Sequence, residues 1–470
     1  MKRNLPTSAS FLLSEDCNLA CTYCFELNCR NSNKMTKEVA EQGLQFLSNN
    51  ALLNGEKTFD VMFFGGEPLL NVEVLEYVFK RGLEIADEKN LFFNASIVTN
   101  ATIYTKKIEK IFKEYGKKTN FHIQLSVDGV KEVHDKYRVT KAGKGSFDII
   151  EKNIPKFLAL RDFDIGVTIH GCSNKETLPR LFENYLFFRE QWGFEHIWFM
   201  PIHSEEWETS DVPIYAEQLN KIANYILEKA KETGDTREVQ FYAPIDKCLS
   251  NYGRASSPCG AGKNFVTVVA NGDVYPCHQF YFNDPDKHTA IGSVYKGINE
   301  DKREIYTNYD SSDLSCLKDN PNCEATGCYI CIADNYNING SVLSTVAGPR
   351  CAMSKVEKNV QDRVKKELEK MGLLKKDKEH NQADLDSGDV CKCNSRNFEP
   401  NHSDEAACAN PHTGCNCGED KEFQKDLLTH MASSIVDMGE MLEKVLKQNK
   451  KLKSDIKKIK REIKFVGRKI

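Results

Sequence analysis

Positions 8–24 of the chain, SASFLLSEDCNLACTYC, join a short apolar run to three closely spaced cysteines. The run SASFLLS has the length and composition of a buried β-strand. Cys17, Cys21 and Cys24 follow it with C-x3-C-x2-C spacing, which supplies three thiolates to a four-iron cubane and leaves the fourth iron without a protein ligand. The alternative is a zinc site that Cys29 would complete.

Five more strand-like runs follow, and segments of helical periodicity such as 36–53, 72–88 and 212–231 separate them. The runs are TFDVMFFGG, NASIVTNA, FHIQLSVDG, DIGVTIHG and HIWFMPI. Six βα units in succession predict an α/β fold, an open, partial (β/α)6 TIM barrel. In such barrels the functional groups lie on loops after the carboxyl ends of strands, which is where the three cysteines fall.

Composition narrows the class of protein. A chain of 470 residues exceeds one ordinary core, so two or three domains are expected. The net charge of -4 gives no support to nucleic-acid binding. With no run of about 18 apolar residues and no signal peptide, we expect a cytoplasmic protein without a membrane partner. The 18 cysteines are then read as metal ligands or catalytic thiols, because the cytosol keeps thiols reduced.

Changes in composition predict four segments. The barrel is expected at 1–245, a cysteine-rich domain at 246–355, a linker and tail at 356–420, and a long basic helix at 421–470. The tail cysteines either form a zinc or cluster site with His402 or His412, or are loose thiols. They are Cys391, Cys393, Cys408, Cys415 and Cys417. Cys29 and Cys172 have no partner at metal spacing and are read as ordinary thiols.

The last segment carries a heptad pattern with Asn449 at one a position, the usual device for fixing register in a dimeric coiled coil. We expect a homodimer through this helix; the alternative is a long helix docked on its own domain. Its basic stretch, 447–469, is either a solvated face or a surface that attracts an acidic peptide.

More motifs occur at the ends of the predicted strands. Gly65, Gly66 and Glu67 form a GGEP motif after the second strand. The others are Thr99 and Asn100 after the third strand, Ser126 and Asp128 after the fourth, and Arg138 beyond it. Taken alone, a glycine pair indicates a turn, and a Ser or Asp at the end of a strand indicates a helix cap. Together with C-x3-C-x2-C, they resemble the radical S-adenosylmethionine (SAM) superfamily.

That resemblance implies a 4Fe-4S cluster on the first three cysteines, where one electron cleaves SAM to a 5'-deoxyadenosyl radical. The GGEP backbone and the Glu67 carboxylate would receive the SAM ammonium. Ser126 and Asp128 would hydrogen-bond the ribose, and Arg138 would pair with the SAM carboxylate through its planar fork. Tyr23, Thr99 and Asn100 are the remaining expected SAM contacts.

A second resemblance covers the cysteine-rich domain. Cys259, Gly272 and Cys277 have the C-x12-G-x4-C spacing that opens the SPASM domain, a module of radical SAM peptide-modifying enzymes with two auxiliary 4Fe-4S clusters. A zinc ribbon is the alternative. The family's order gives the first auxiliary cluster Cys259, Cys277 and Cys331, with Cys248 as an optional fourth ligand. It gives the second Cys316, Cys323, Cys328 and Cys351, although spacing there departs from the commonest family pattern.

The residue after Cys277 bears on the reaction. Maturases that oxidise Cys or Ser of sulfatases to formylglycine use an aspartate there, whereas this chain has His278 in YPCHQF. That string resembles the maturases that install thioether crosslinks in ribosomally made peptides, of the ranthipeptide and sactipeptide type. The expected reaction joins a cysteine sulfur to an Asp or Glu side-chain carbon. His278 either acts as a base or orients the thiol, or hydrogen-bonds a cluster ligand.

The same resemblance implies the partners. They are a Cys-rich precursor peptide and an external electron donor such as flavodoxin or ferredoxin. The alternative from a different class is a non-catalytic iron-sulfur electron carrier. An open three-cysteine site beside a GGEP loop disfavours that alternative, because a carrier gains from full ligation and needs no SAM pocket.

Overall fold

The computed structural model describes residues 4–26, 31–202, 205–237, 259–284, 288–310, 313–316, 331–345 and 348–374. All of them belong to one compact unit, Met1–Asn381. The predicted tail site and coiled coil lie outside the described residues, as do Cys29, Cys248, Cys323 and Cys328. The predicted boundary at 245/246 falls there too.

Six parallel strands form the first part of the sheet, in the order of the sequence. They are β1 (Ser8–Ser14), β2 (Thr58–Gly65), β3 (Phe92–Thr99), β4 (His122–Ser126), β5 (Gly166–Ser173) and β6 (Ile197–Pro201). Each overlaps one of the six predicted runs, so the predicted partial barrel is confirmed.

Helices join these strands. They are α1 (Lys37–Asn54), α2 (Val72–Lys89), α3 (Lys106–Tyr115), α4 (Lys131–Tyr137), α5 (Phe147–Glu151), α6 (Ile154–Leu158), α7 (Leu181–Leu186) and α8 (Asp211–Thr233). Local chemistry sets their ends. The Thr36 hydroxyl accepts the Val39 N–H at 3.2 Å before α1, and Gly55, with φ of 74°, ends that helix.

The two faces of the barrel strands differ in character. On β4, Ile123 and Leu125 point toward the helices and are fully buried in the main core. His122 and Gln124 alternate with them and are only half buried. Because side chains alternate across a strand, the polar set faces the barrel interior. A TIM barrel normally fills this space with branched apolar side chains, so a polar interior indicates room for a ligand.

The cysteine-rich region extends the same sheet. Its strands are β7 (Phe265–Val268), β8 (Asp273–Tyr275), β9 (Gly292–Ser293) and β10 (Gly297–Ile298). β7 pairs parallel to β1, and the hydroxyls of Ser10 and Thr267 are 2.6 Å apart across the junction. The helices of this region are α9 (His278–Phe282), α10 (Glu300–Thr307), α11 (Ile332–Asn339) and α12 (Pro349–Lys370).

Helix α12 packs along α8, the last helix of the barrel. The Tyr215 hydroxyl donates to Glu357 Oε1 at 2.7 Å in a buried contact, and Arg350 Nη1 lies 3.6 Å from the same oxygen. The predicted boundary at 355/356 falls inside this continuous helix. No helix in the described part of the chain is long and apolar enough to cross a membrane.

Replacing Tyr215 with Phe removes the hydroxyl that donates to the buried Glu357 carboxylate. Hydrogen bonds to charged groups contribute about 1.5–3 kcal/mol, so we expect Tyr215→Phe to lower the free energy of unfolding by that amount. Chemical denaturation followed by circular dichroism measures it. Tyr295→Phe is the control: this side chain is 52% exposed, and its change should stay within about 0.5 kcal/mol. Equal losses in both variants would contradict a specific bond between α8 and α12.

Candidate active site

The loop carrying Cys17, Cys21 and Cys24 leaves the carboxyl end of β1. It is held against the segment that follows α4. The Ala20 N–H donates to the Val139 carbonyl at 2.7 Å, and the Thr22 N–H to the Tyr137 carbonyl at 2.9 Å. The loop is therefore ordered by backbone bonds of the chain itself.

The donor set fits a cubane cluster. Cys17 and Cys21 are buried and Cys24 is half buried. Cys17 Sγ lies 3.4 Å from the Leu19 backbone nitrogen and 3.6 Å from Asn100 Nδ2, two N–H donors of the kind that support cluster thiolates. Among described residues, no three His, Cys, Asp or Glu side chains converge on a single-ion position. A cubane holds its thiolates at separate corners, so its ligands need no such convergence.

The glycine pair allows two loops to touch. Gly65 has φ of 125°, and a Cβ there would lie 2.2 Å from the Ser14 carbonyl oxygen. A Cβ on Gly66 would lie 2.4 Å from the Asp16 carbonyl oxygen and 3.0 Å from Cys17 Cβ. The Gly66 N–H donates to Ser14 at 2.9 Å. These glycines are needed for the approach of the cysteine loop, a contact that no motif in the sequence indicates.

Glu67 is fully buried beside that contact, and both of its oxygens accept bonds from the chain. Oε1 accepts from the Leu69 N–H at 3.0 Å and from the Thr99 hydroxyl at 2.8 Å. Oε2 accepts from the Asn100 N–H at 2.8 Å. Burial raises the pKa of this carboxyl to about 7, while the three donors act in the opposite direction. Glu67 thus fixes the end of β3 against the GGEP loop.

Asp128 and Arg138, expected at separate parts of SAM, contact each other. Arg138 Nε lies 3.0 Å from Asp128 Oδ2, and both side chains are buried. The Tyr23 hydroxyl donates to the same oxygen at 2.5 Å, and the Cys172 N–H donates to Oδ1 at 2.9 Å. The Nη groups of Arg138 make no hydrogen bond to a described residue, so the end of the fork stays available to a carboxylate.

His134 supports this pair and was missed in the sequence. Its Nδ1 accepts the Asp128 N–H at 3.3 Å, and its Nε2 lies 2.9 Å from the Ser146 hydroxyl. That hydroxyl donates to the Arg138 carbonyl at 2.7 Å. Burial lowers the pKa of His134 to about 4, so the ring is neutral at pH 7 and its proton sits on Nε2. The HDKYR string held the signal, a histidine four residues before Arg138 in a helix.

Cys172, read as an ordinary thiol, lies at the carboxyl end of β5 within this group. Burial raises the pKa of its thiol to about 12, and Asp128 adds to that rise. The only signal in the sequence was its position after the fifth strand. Ser126 is buried at the end of β4, at the same edge of the sheet.

Three of the predicted auxiliary ligands lie near one another. Cys277 precedes α9, and its sulfur accepts the N–H groups of Gln279 and Phe280. Cys331 precedes α11, and its sulfur accepts those of the first turn of that helix. The pKa of Cys277 is raised to about 12 by burial and by the neighbouring Cys259. Helix N-termini and N–H donors suit thiolate ligands.

Two other predicted ligands are described. The Cys316 N–H donates to the Thr345 hydroxyl at 3.0 Å, and Cys351 lies in the first turn of α12. Both thiols are half buried.

His278 lies between two phenylalanine rings of the barrel. Its ring is stacked on Phe64 at 4.3 Å and on Phe25 at 5.7 Å between centroids. Phe25 follows Cys24, and Phe64 faces the interior just before the glycine pair. His278 Nδ1 is buried and has no hydrogen-bond partner among described residues, and burial lowers the pKa of the ring to about 4.

Tyr281, on the same helix, links this region to the start of the cysteine loop. Its hydroxyl donates to the buried Glu15 Oε1 at 2.9 Å. Helix α9 is thus attached to the loop by a hydrogen bond as well as by ring stacking.

Replacing Glu67 with Gln tests the role of its carboxylate. An amide cannot accept at both ends, so one of the buried donors loses its acceptor, and we expect a loss of about 1–3 kcal/mol in the free energy of unfolding. Denaturant titration of the unloaded protein measures it. Glu151→Gln, at an exposed position on α5, is the control. An unchanged stability for Glu67→Gln would show that its bonds contribute nothing net.

Comparison with known proteins agrees with this geometry. Over 290 residues the chain is 30% identical to the cysteine-type anaerobic sulfatase-maturating enzyme of Clostridium novyi, covering 58% of this chain and 73% of that protein. It is 24% identical over 306 residues to the antilisterial bacteriocin subtilosin biosynthesis protein AlbA of Bacillus subtilis, covering 62% of this chain and 58% of AlbA.

Its fold matches a solved structure, native anSMEcpe with bound AdoMet and Cp18Cys peptide. The TM-score is 0.61 at 22% identity, covering 78% of this chain and all of that one. The family model of the radical SAM superfamily matches residues 11–178, which span the cysteine loop, the GGEP motif and the Asp128 and Arg138 cluster. The chain therefore belongs to the radical SAM superfamily.

Proposed function

We propose that this protein forms thioether crosslinks in a ribosomally synthesised precursor peptide, joining a cysteine sulfur to a side-chain carbon of Asp or Glu. Membership of the superfamily implies one 4Fe-4S cluster and SAM. The observation that carries the finer proposal is His278, a neutral imidazole that enters the barrel next to the cysteine loop. It stands where the sulfatase-type maturases use an aspartate.

A peptide substrate is supported by the relatives and by the barrel. AlbA is named for biosynthesis of the bacteriocin subtilosin, and anSMEcpe was solved with a bound peptide. The interior of the barrel is polar and half exposed at residues such as Gln124, Thr168 and His170. A polar interior at the carboxyl ends of the strands suits a peptide side chain that must reach SAM.

The atoms and electrons of this reaction balance if one electron passes from the substrate to an acceptor. Cys17, Cys21 and Cys24 would hold the cluster that supplies the electron for SAM cleavage, and bound SAM would supply the 5'-deoxyadenosyl radical that takes one hydrogen atom from the substrate carbon. The thiol proton leaves, the C–S bond forms, and one electron must depart. Cys259, Cys277 and Cys331, with Cys248 as an optional fourth ligand, are proposed to hold the auxiliary 4Fe-4S cluster that accepts it. The other four cysteines of the domain would hold a second one.

His278 is proposed to position the substrate thiol. Its buried Nδ1 has no hydrogen-bond partner among the described residues, and the rings of Phe25 and Phe64 fix the plane of the imidazole. In the tautomer with its proton on Nε2, Nδ1 is an acceptor. A thiol that donates to this nitrogen would be held close to Cys277. Orientation of this kind supplies a large part of a rate enhancement.

Formylglycine formation is the second candidate, since a sulfatase-maturating enzyme is 30% identical to this chain. It converts one residue of a protein and leaves no bridge, so product mass separates the two reactions.

Reconstituted, reduced enzyme should convert a Cys-rich precursor peptide in the presence of SAM. We expect a loss of two hydrogens per crosslink, because one leaves as a hydrogen atom and one as a proton, and the bridged cysteines should resist alkylation. High-resolution mass spectrometry together with 5'-deoxyadenosine release measures both. Candidate peptides are those encoded beside the gene, and a sulfatase peptide serves as the comparison substrate.

The outcomes separate the candidates. Conversion of only the sulfatase peptide, with loss of its sulfur, would replace the thioether proposal with formylglycine formation. Deoxyadenosine release without a change in any peptide would contradict both. Intact clusters that never cleave SAM would favour an electron carrier.

Substituting His278 with Phe keeps a ring between Phe25 and Phe64 but removes the nitrogen acceptor. We expect crosslinking to fall about 100-fold, since a misplaced thiol loses the orientation that the reaction requires. Crosslink yield per deoxyadenosine, measured by mass spectrometry, is the readout. His288→Phe, at an exposed histidine of the same region, is the matched control. Full crosslinking by the His278→Phe enzyme would refute the positioning role.

A further inference from the structure

The interior face of the barrel has two layers with different hydrogen bonding. In the layer nearer the amino ends of the strands, polar side chains bond to each other across neighbouring strands. These pairs are Ser10 with Thr267 at 2.6 Å, Asp60 with Asn94 at 2.8 Å, and His122 with Thr168 at 2.9 Å. The polar side chains of this lower layer are hydrogen-bonded within the protein and need no ligand.

The layer above it behaves differently. The side chains of Gln124, Ser126 and His170 make no hydrogen bond to any residue that the structure describes, although all three are partly or largely buried. The backbone register pairs Ser126 with His170 on adjacent strands, and Gln124 lies two residues before Ser126 on β4. None of their polar atoms is among the described buried atoms that lack a hydrogen-bond partner, so these atoms open onto the interior space, where a ligand can bond them.

His170 is fixed within this layer. Its ring meets Trp198 edge to face, with 5.1 Å between centroids. Burial lowers the pKa of His170 to about 4, so the ring offers one N–H donor and one acceptor at neutral pH. Two residues later, the Cys172 N–H bonds Asp128, so His170 borders the expected SAM site.

The neutral donors of this layer can bind an acidic side chain. Asp60 accepts from Asn94 in the lower layer, and Asp128 accepts from Tyr23 and is paired with Arg138. The Arg138 guanidinium compensates the charge of Asp128. The amide of Gln124 and the ring of His170 supply N–H donors, which suit carboxylate oxygens.

We propose that Gln124 and His170 bind the side-chain carboxylate of the acceptor residue in the substrate peptide, and so select Asp or Glu. This inference rests on the proposed function and names the residues that would decide which side chain is crosslinked. Ser126 remains with SAM, as expected from its motif. Anchoring the carboxylate fixes the methylene carbons beside it, as abstraction from a single carbon requires.

The test compares paired peptides that carry either the acidic acceptor or its amide. Wild-type enzyme should prefer Asp or Glu over Asn or Gln. The isosteric Gln124→Glu change replaces a donor with a carboxyl group, so we expect the ratio of the two crosslinking rates to shift toward the amide peptide by about 10-fold or more. Gln42→Glu, the same change on α1 outside the barrel, is the matched control and should keep the wild-type ratio.

His170→Phe provides a second variant, because it retains a ring against Trp198 and removes the donor. We expect it to slow crosslinking of the acidic peptide about 10-fold while affecting the amide peptide less. An unchanged preference in both variants would overturn the inference. So would a weaker affinity for SAM with no change in preference, which would make His170 a SAM contact.

Failure of the inference can be told from failure of the proposed function. If wild-type enzyme crosslinks peptides but neither variant alters the preference, only the carboxylate site is wrong. If wild-type enzyme crosslinks neither peptide of the pair while cleaving SAM, the proposed function itself is wrong.

Discussion

The close approach of two loops is the constraint on which the active site depends. Gly66 lies so near Asp16 and Cys17 that no side chain fits between them. This contact ties the end of β2 to the loop that carries Cys17, Cys21 and Cys24. That loop in turn bonds the backbone on either side of Arg138, so its position sets the position of the charged pair with Asp128. A shift of the cysteine loop would therefore also move Arg138 and its partner Asp128.

The strands of the cysteine-rich region, β7 to β10, continue the sheet of the barrel. Because β7 pairs with β1, the helix after β8 is brought over the cysteine loop, where Tyr281 bonds Glu15 and His278 meets Phe25 and Phe64. This arrangement places the proposed auxiliary ligand Cys277 and the proposed thiol contact His278 side by side at the start of α9. A substrate sulfur bound by His278 would then lie next to the proposed electron acceptor.

Much of this could be predicted from the sequence because it is local. Six strands and the limits of α1 follow from short-range periodicity and from a Thr cap and a closing Gly. Contacts across long sequence separations could not be predicted. Tyr23 and Asp128 are 105 residues apart. No local pattern indicated that His278 would stack on Phe64. Those contacts depend on how the strands pair, which periodicity does not specify.

The electrostatics of the interior suggest how one barrel could bind two carboxylates, that of SAM and that of a substrate, at separate sites. Asp128 partly neutralises the charge of Arg138. The Nη groups of Arg138 would then bind one carboxylate, that of SAM. Gln124 and His170 carry no charge, so they would bind a carboxylate by geometry alone, and only one that lies within hydrogen-bond distance. A cationic side chain in place of Gln124 or His170 would compete with Arg138 for the carboxylate of SAM. Neutral donors beside an arginine paired with Asp128 would keep the two proposed carboxylates in separate places.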